Sequence, residues 1–273
     1  MLGRLPLLTE FSRYAEVCEV FGSPKRALSG LLRRGRADVF QSVQTARRDD
    51  LLVYLGTANL KRRLGFSHLP ESVREDVRTF FGTYAKGLAE GLQLLHKAAD
   101  PATIRLACDD ASLGWQDDDA LYLHTGLIDR LPPVLRAYVA CGEILFGDAR
   151  QADLVKIHES SGKLTFLTYD DFASCSLPEL QLRTKVNLRS LSIETYDHSG
   201  QGELLYFKDR FVAPEHPFHE DLQELNTALR TVGVPDGQFL GPSLPRLNGM
   251  LPSTAPGRLV SEALAYDSQR RRI

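Results

Sequence analysis

The chain of 273 residues lacks the short motifs that identify most nucleotide-binding, metal-binding and hydrolytic proteins. It has no G-x-G-x-x-G turn, no P-loop, no H-E-x-x-H and no G-x-S-x-G. Its 4 cysteines are far apart and match no metal spacing, so we interpret them as reduced thiols. No apolar run approaches the roughly 18–20 residues that cross a bilayer. We therefore predict a soluble, cytoplasmic protein with no membrane partner, no metal site and no cofactor bound by this chain.

The charge of the chain is nearly balanced, but it is unevenly distributed. Lysine and arginine number 33 against 35 acidic residues. Residues 1–65 carry twelve basic and six acidic side chains, whereas residues 101–150 carry four basic and eight acidic ones. A basic end on a neutral protein is a weak indication of nucleic-acid binding, and its alternative is an ordinary solvated surface.

The spacing of apolar residues predicts helices through most of the first 150 residues. One long amphipathic helix is predicted from Ser72 to Leu95, with Ser72 and Glu75 as a capping box. A second begins at Pro132-Pro133 and ends near Gly147. Shorter helices are predicted at 9–21, 24–34, 36–59 and 101–111.

From about residue 153 the period changes from helical to alternating. Residues 154–158 and 163–169 alternate around a possible turn, which predicts a hairpin, and 184–196 and 203–212 predict two further strands. A helix is predicted at 218–231. The expected fold class is α+β: a helical N-terminal half, then a small antiparallel sheet and a C-terminal helix. The predicted divisions are a helical domain at 1–150, sheet plus helix at 151–232, and a Pro/Gly-rich segment at 233–273.

Alternation also predicts a basic face on this sheet. Val155, Ile157, Leu164 and Phe166 share the core side, which leaves cationic side chains on the opposite side. Such a face suits phosphate, because arginine offers paired donors and lysine a compact charge. The alternative is a half-exposed sheet with ordinary solvated charges. The candidate phosphate-binding or nucleic-acid-binding residues are Lys156, His158, Lys163, Lys185, Arg189, Lys208 and Arg210.

Two further groups of residues have both a functional and a structural interpretation. His158, between lysine-bearing positions, is the one weak candidate for a catalytic acid or base, and its alternative is a structural hydrogen-bonding role. The helical half has basic clusters that either grip a nucleic-acid backbone or pair with nearby acids, as Asp49-Asp50 suggests. These clusters are Arg33-Arg34-Arg36, Arg47-Arg48 and Lys61-Arg62-Arg63. Whether the chain is an enzyme is left open by its residues.

Several ordered blocks resemble the C-terminal region of the DNA phosphorothioation-associated methyltransferase family, over residues 15–235. The blocks are RRDDLLVYL at 47–55, FSHLP at 66–70, FFGTY at 80–84, LYLHT at 121–125, LPPVLRAYV at 131–139, ADLVKIH at 152–158, SGKLT at 161–165 and YDDF at 169–172. Proteins of this family accompany bacterial systems that place sulfur in the DNA backbone and act in defence against foreign DNA.

The resemblance implies a DNA-engaging accessory module rather than a complete methyltransferase. Family members carry an upstream methyltransferase domain with a glycine-rich turn, and nothing here matches it. S-adenosylmethionine is therefore expected only where a separate domain or subunit supplies it. The implied partners are DNA, plain or phosphorothioate-modified, and a methyltransferase or other defence-system subunit. The alternatives are a phosphate-chemistry enzyme (nuclease, nucleotidyl or phosphoryl transfer) using His158, and a structural partner domain of a separate methyltransferase.

Overall fold

A computed structural model describes residues 2–60, 65–216, 219–231, 233–235, 242, 246 and 247. The chain divides into two compact units between Ala98 and Ala99. The first unit is helical and the second combines helices with a six-stranded antiparallel sheet, so the predicted α+β class is confirmed. The division predicted at residue 150 falls inside the second unit. The cluster Lys61-Arg62-Arg63 and most of the segment 233–273 lie outside the described residues.

The described residues of the first unit form five α-helices, and three of the predicted short helices are confirmed there. They are α1 (Tyr14–Phe21), α2 (Pro24–Leu31), α3 (Ala37–Ala58), α4 (Glu71–Phe81) and α5 (Tyr84–Ala98). Helix α2 begins at a proline preceded by Ser23, whose hydroxyl accepts a hydrogen bond from the Arg26 amide. Gly35, with φ 79°, interrupts the helical path between α2 and α3.

The prediction of a single long helix from Ser72 to Leu95 is wrong, because the helical conformation is interrupted between α4 and α5. Gly82 ends α4 at φ 75°, a conformation that favours glycine. The Thr83 hydroxyl then accepts a hydrogen bond from the Lys86 amide, 3.2 Å away, at the start of α5. The predicted capping box is also wrong, since α4 starts after Pro70 and its first turn has no side-chain cap.

Helices α3 and α5 approach each other at two glycines. A Cβ atom on Gly91 would lie 2.5 Å from the Gly56 nitrogen, and one on Gly56 would lie 2.9 Å from the Gly91 oxygen. The two backbones are therefore in direct contact, closer than any side chain permits. Leu55 and Phe81, both buried, lie beside the same crossing and contact the space that a Cβ on Gly87 would fill.

The second unit is built on a sheet whose strands follow one another in chain order. Its strands are β1 (Trp115–Gln116), β2 (Ala120–His124), β3 (Leu154–His158), β4 (Lys163–Tyr169), β5 (Leu180–Asn187) and β6 (Ser192–Asp197). Its helices are α6 (Pro101–Asp109), α7 (Pro133–Phe146) and α8 (His219–Thr231). The predicted β3–β4 hairpin and these three helices are confirmed. Among the described helices of both units, none is long and apolar enough to span a membrane.

Two strand predictions in this unit are wrong. The single strand expected at 184–196 is a hairpin, because the Asn187 side-chain oxygen accepts hydrogen bonds from the Arg189 and Ser190 amides and closes a turn. The strand expected at 203–212 does not form. In that range an isolated bridge joins Leu204 to Glu179, and Lys208–Arg210 forms a 3-10 turn.

Helix α7 covers one face of the sheet. Gly142 leaves room for the Leu164 side chain, and the Phe146 ring stacks on Phe166 with centroids 4.0 Å apart. On the other face, Leu154 and Leu167 belong to a buried cluster that includes Phe211. That second face therefore has a buried apolar cluster at one end, where Arg183 and His124 also lie opposite Leu167 and Leu154. The row of polar side chains described below lies toward the other end.

Candidate phosphate-binding face of the sheet

The strand register aligns one row of side chains across all six strands. Residues that are direct partners in antiparallel strands point to the same face. The row consists of Trp115, Tyr122, Lys156, Thr165, Lys185 and Glu194. His158 and Lys163 lie on the same face, each two residues from a member of the row. Four of the seven predicted phosphate-binding residues thus share this face: Lys156, His158, Lys163 and Lys185.

His158 is held within the sheet as a neutral imidazole. Its Nε2 atom lies 3.1 Å from the Oγ1 of the buried Thr165. Burial, together with the charges of Lys156 and Lys163, lowers the pKa of His158 to about 4. At neutral pH this side chain is therefore an uncharged hydrogen-bonding group. It is not an imidazolium at this pH, so it does not act as a general acid.

The charge of Lys156 is largely compensated by its neighbours. Its ammonium group contacts the Tyr122 hydroxyl and lies 4.5 Å from the centre of that ring. The Asp117 carboxylate is 3.7 Å from the same nitrogen and accepts a 2.7 Å hydrogen bond from the Tyr122 hydroxyl. Lys156 is therefore the centre of a local network, and less of its charge is available to a ligand.

Lys163 and Lys185 are exposed on this face, and Arg189 is exposed in the adjoining β5–β6 turn. We call these three residues the basic end of the sheet. The Lys163 ammonium group forms no hydrogen bond or ion pair with any residue that the structure describes, whereas the Lys163 carbonyl accepts a hydrogen bond from the Tyr138 hydroxyl. Lys185 extends over the Tyr196 ring, 4.8 Å from its centre, and its cross-strand neighbour is Glu194. Arg189 donates to the Ser160 carbonyl over 2.8 Å and so joins the β5–β6 turn to the β3–β4 turn, next to Lys163.

Lys208 does not belong to this face, contrary to the prediction. The strand that would have carried it does not form, and the side chain is 3 % exposed. Its ammonium group donates to the carbonyls of Phe172 and Cys175, the latter at 2.8 Å. Burial lowers the pKa of Lys208 to about 8. It is a structural cation that ties the loop after β4 to the 3-10 turn.

Arg210 also departs from the predicted arrangement, for the same reason. Its guanidinium group lies over the rings of Trp115 and Phe207, 5.6 and 4.5 Å from their centres. The Trp115 ring in turn packs on Tyr122 and Phe211. Trp115 lies on β1, at the opposite end of the row from Lys185 on β5. Arg210 is therefore associated with the aromatic side chains rather than with the lysines.

The aromatic residues of the row do not form a platform for stacked bases. Tyr122 is 4 % exposed, and Trp115 is partly buried against it. Stacking of a single strand requires accessible ring faces. Lys163 and Lys185 are the exposed cations of this face and are suited to phosphate oxygens. The exposed Glu194 and Tyr196 lie at its β6 edge.

In the helical unit, the Arg47-Arg48 cluster is occupied by ion pairs. Arg47 donates to Asp76, with a shortest distance of 2.7 Å, and Arg48 donates to Glu90 at 2.5 Å. Asp76 is fully buried and also accepts a hydrogen bond from Arg4 at 2.5 Å. By contrast, Arg33, Arg34 and Arg36 are exposed around the Gly35 turn.

A groove that no local sequence pattern predicts lies between α3 and α5. Its volume is about 520 Å³. Arg48 and Leu52 line it from α3, and Lys86, Glu90 and Lys97 line it from α5. Spacings of three and four along each helix place these residues on one side, but the pairing of the two helices is needed to bring them together.

No cluster of three or more histidine, cysteine or acidic side chains suited to a metal ion occurs among the described residues. No protein-family model, curated protein or solved structure matches the chain. The interpretation of the sheet face therefore depends on its own geometry.

Proposed function

We propose that this protein is an accessory module that holds the sugar-phosphate backbone of DNA against the basic end of its sheet. The observation that carries the proposal is the exposure of Lys163, Lys185 and Arg189 at the basic end of the sheet. The strand scaffold fixes the first two at diagonal cross-strand positions, because Lys163 pairs with Asn187 and Lys185 pairs with Thr165. Diagonal neighbours of this kind are about 7–8 Å apart. Phosphate groups are recognised by such point charges and by guanidinium donors.

The neighbouring groups favour binding over bond cleavage. His158 is neutral and hydrogen-bonded to Thr165, and Lys156 is engaged by Tyr122 and Asp117. These groups supply hydrogen-bonding partners on the face, and the exposed Lys163 and Lys185 side chains lie beside them. Since backbone contacts carry no base information, we expect affinity with little sequence preference. The resemblance to phosphorothioation-associated proteins adds the hypothesis that a sulfur-substituted backbone is the preferred ligand.

The first test is fluorescence anisotropy with a short duplex over a salt series. We expect Lys163→Ala/Lys185→Ala to weaken binding about tenfold or more at low salt and to reduce the slope of log affinity against log salt by about 2. The reason is that two cations that displace counterions from phosphate are removed.

The matched control removes two exposed arginines of the same unit that lie outside the strands, in the 3-10 turns that precede α7 and β3. Arg130 pairs with Glu215 at 3.3 Å, and Arg150 pairs with Asp129 at 3.0 Å. Arg130→Ala/Arg150→Ala makes the same change in net charge and should leave the affinity nearly unchanged. Equal losses in both double variants would indicate diffuse electrostatic attraction. Unchanged binding in the lysine variant would remove the basic end from the proposal.

The same titration with phosphorothioate duplex tests the system to which the module belongs. A preference for the sulfur-bearing backbone that is lost in Lys163→Ala/Lys185→Ala would support a role in a phosphorothioation-linked modification or defence system. Equal affinity for both duplexes would leave a general backbone-binding module and contradict the link to sulfur.

A further inference from the structure

Strand β6 forms an open edge of the sheet in the part of the chain that the structure describes. It pairs with β5 on one side, and no described strand pairs with the other. Residues 193–197 are all exposed. Edge strands are commonly protected by proline, lysine or a bulge. Strand β6 contains neither residue, and its register with β5 is continuous over six pairs. Its charged side chains are Glu194 and Asp197.

A hydrogen bond at the C-terminal end of β6 shows which of its main-chain groups face β5 and which face outward. The His198 amide donates to the Gln181 carbonyl over 2.8 Å, so this pair is hydrogen-bonded. Because hydrogen-bonded pairs alternate along an antiparallel ladder, Glu194 and Tyr196 direct their main-chain groups to β5. Ile193, Thr195 and Asp197 direct theirs outward. The Asp197 carbonyl accepts a hydrogen bond from the Gln201 side chain at 3.1 Å, which leaves five outward groups for another strand.

We propose that these groups pair with β6 of a second copy of this chain, in an antiparallel ladder centred on Thr195. Residues opposite each other across such a ladder share a face, so a two-fold axis must pass through a residue pair of the same number. The outward phase restricts the centre to Ile193, Thr195 or Asp197. Centring on Asp197 would require its carbonyl, which already accepts the hydrogen bond from Gln201. Centring on Ile193 would place Thr195 against Leu191, whose φ of 52° takes it out of the strand.

The Thr195-centred register matches the remaining groups. The Thr195 amide and carbonyl of one copy meet those of the partner, giving two hydrogen bonds. Each Asp197 amide meets the Ile193 carbonyl of the partner, which gives two more. All four use groups that β5 does not bind, so the fold of each copy is unchanged.

The side chains of β6 are also self-complementary in this register. Tyr196 lies opposite Glu194 of the partner subunit, and within one copy the Tyr196 hydroxyl already donates to the Glu194 carboxylate over 2.6 Å. On the opposite face Ile193 is 46 % exposed, and Leu182, on the neighbouring strand, is 40 % exposed. Pairing removes part of this apolar surface from water. A second copy is thus a partner that fits the ladder and the Tyr196–Glu194 pairs, while Ile193 lies opposite Asp197 of the partner subunit.

The test compares Thr195→Pro with Thr195→Val by analytical ultracentrifugation. Both variants lose the contact between the hydroxyls of Thr195 and Thr184, which are 3.1 Å apart. Only proline removes the outward amide. We expect wild type and Thr195→Val to be dimers at high micromolar concentration. Thr195→Pro should raise the dimer dissociation constant at least about tenfold. A monomeric wild type, or equal dimerisation of the two variants, would overturn the proposal.

A second measurement does not depend on the folding of the proline variant. In Thr195→Cys the two new thiols of a dimer would face each other across a hydrogen-bonded pair, with Cα atoms about 5.5 Å apart. This separation is within the range of a disulfide. Mild oxidation should therefore give a covalent dimer whose 195–195 link is identified by peptide mass mapping. Failure to form that link, or links through the native cysteines alone, would contradict the register.

Discussion

The two compact units use their cations in opposite ways. In the helical unit the fully buried Asp76 forms ion pairs with both Arg4 and Arg47, and Arg4 forms a second ion pair with Glu10. In the sheet unit Lys163 and Lys185 are exposed on a strand scaffold. In the more basic region of the sequence, several arginines therefore form ion pairs that stabilise the fold of the helical unit itself. Burial and pairing, rather than the local excess of positive charge, decide which basic residues remain available to a ligand.

The buried network has a recognisable electrostatic effect. Two hydrogen bonds from the Arg4 guanidinium to the Glu10 carboxylate lower the pKa of Glu10 to about 2. The same guanidinium bridges Asp76 and the Ser72 carbonyl. One side chain thus joins the N-terminal segment to α4, and Arg47 joins α3 to the same carboxylate.

The largest effect expected from this comparison is that of Asp76→Ala. Removing the carboxylate breaks the ion pairs of Asp76 with Arg4 and with Arg47. The buried Arg4 then keeps only Glu10 as an acidic partner. Breaking a buried ion pair from one side typically costs about 3–5 kcal/mol. We expect a loss of that size in the free energy of unfolding, measured with urea and circular dichroism.

Glu16→Ala is the matched control for Asp76→Ala, because its pair with Arg13 is exposed on both sides. Such a pair contributes about 1 kcal/mol or less. Similar losses in the two variants would show that the buried network is not what stabilises the helical unit. A loss of DNA affinity in folded Asp76→Ala would break the proposed division of roles between the units.

A smaller but still large effect is expected from Gly91→Ala. The added Cβ would lie 2.5 Å from the Gly56 nitrogen, so α3 and α5 must separate. Overpacking of this kind costs about 1–3 kcal/mol. Gly30→Ala is the control, since Gly30 lies inside α2 with no neighbouring atom within 4 Å of the added carbon. There we expect a gain of about 0.5–1 kcal/mol from helix propensity. Equal midpoints in thermal unfolding would refute the close backbone contact.

The smallest effect is the pH dependence contributed by His158 in the sheet unit. Its folded pKa of about 4 lies below the unfolded value of about 6.5. The folded state therefore binds fewer protons, so this contribution is complete above pH 6.5 and is lost as the pH falls toward 4. With allowance for the solvent-exposed part of the ring, we expect wild type to lose about 1–2 kcal/mol more than His158→Gln between pH 7 and 4.5.

Urea unfolding of both proteins at the two pH values measures this difference. Glutamine keeps a hydrogen-bonding group near Thr165 but does not titrate, so acid effects from carboxylates cancel in the comparison. Equal losses of unfolding free energy in the two proteins would mean that the His158 ring is solvated. The sheet face would then be an ordinary solvent-exposed surface.

The elements that local pattern and capping specify could be predicted from the sequence. The β3–β4 hairpin follows from alternation around a glycine turn, and α7 follows from a proline start and a glycine stop. Strand β2 was missed because its residues are almost all buried, and a short apolar run without alternation does not distinguish strand from helix. The break at Gly82 was missed because the apolar stripe continues across it.

The candidate site was predictable only as far as the strands were. Lys156, His158, Lys163 and Lys185 share a face because period-two alternation fixes side-chain direction. Lys208 and Arg210 were misplaced because residues 203–212 alternate like a strand but form a bridge and a 3-10 turn. Which acid each arginine of the helical unit binds depends on helix packing, and no local pattern specifies that.

The pairing register of β6 has a consequence for avidity. A two-fold axis that passes through paired Thr195 residues runs perpendicular to the sheet, so both copies present the same face to the same side. Two basic ends would then lie on one continuous surface of twelve strands. A single duplex that spans them would meet its second site at high effective concentration, so modest affinity at each site multiplies into tight bivalent attachment. DNA too short to reach both sites would gain nothing from the second copy.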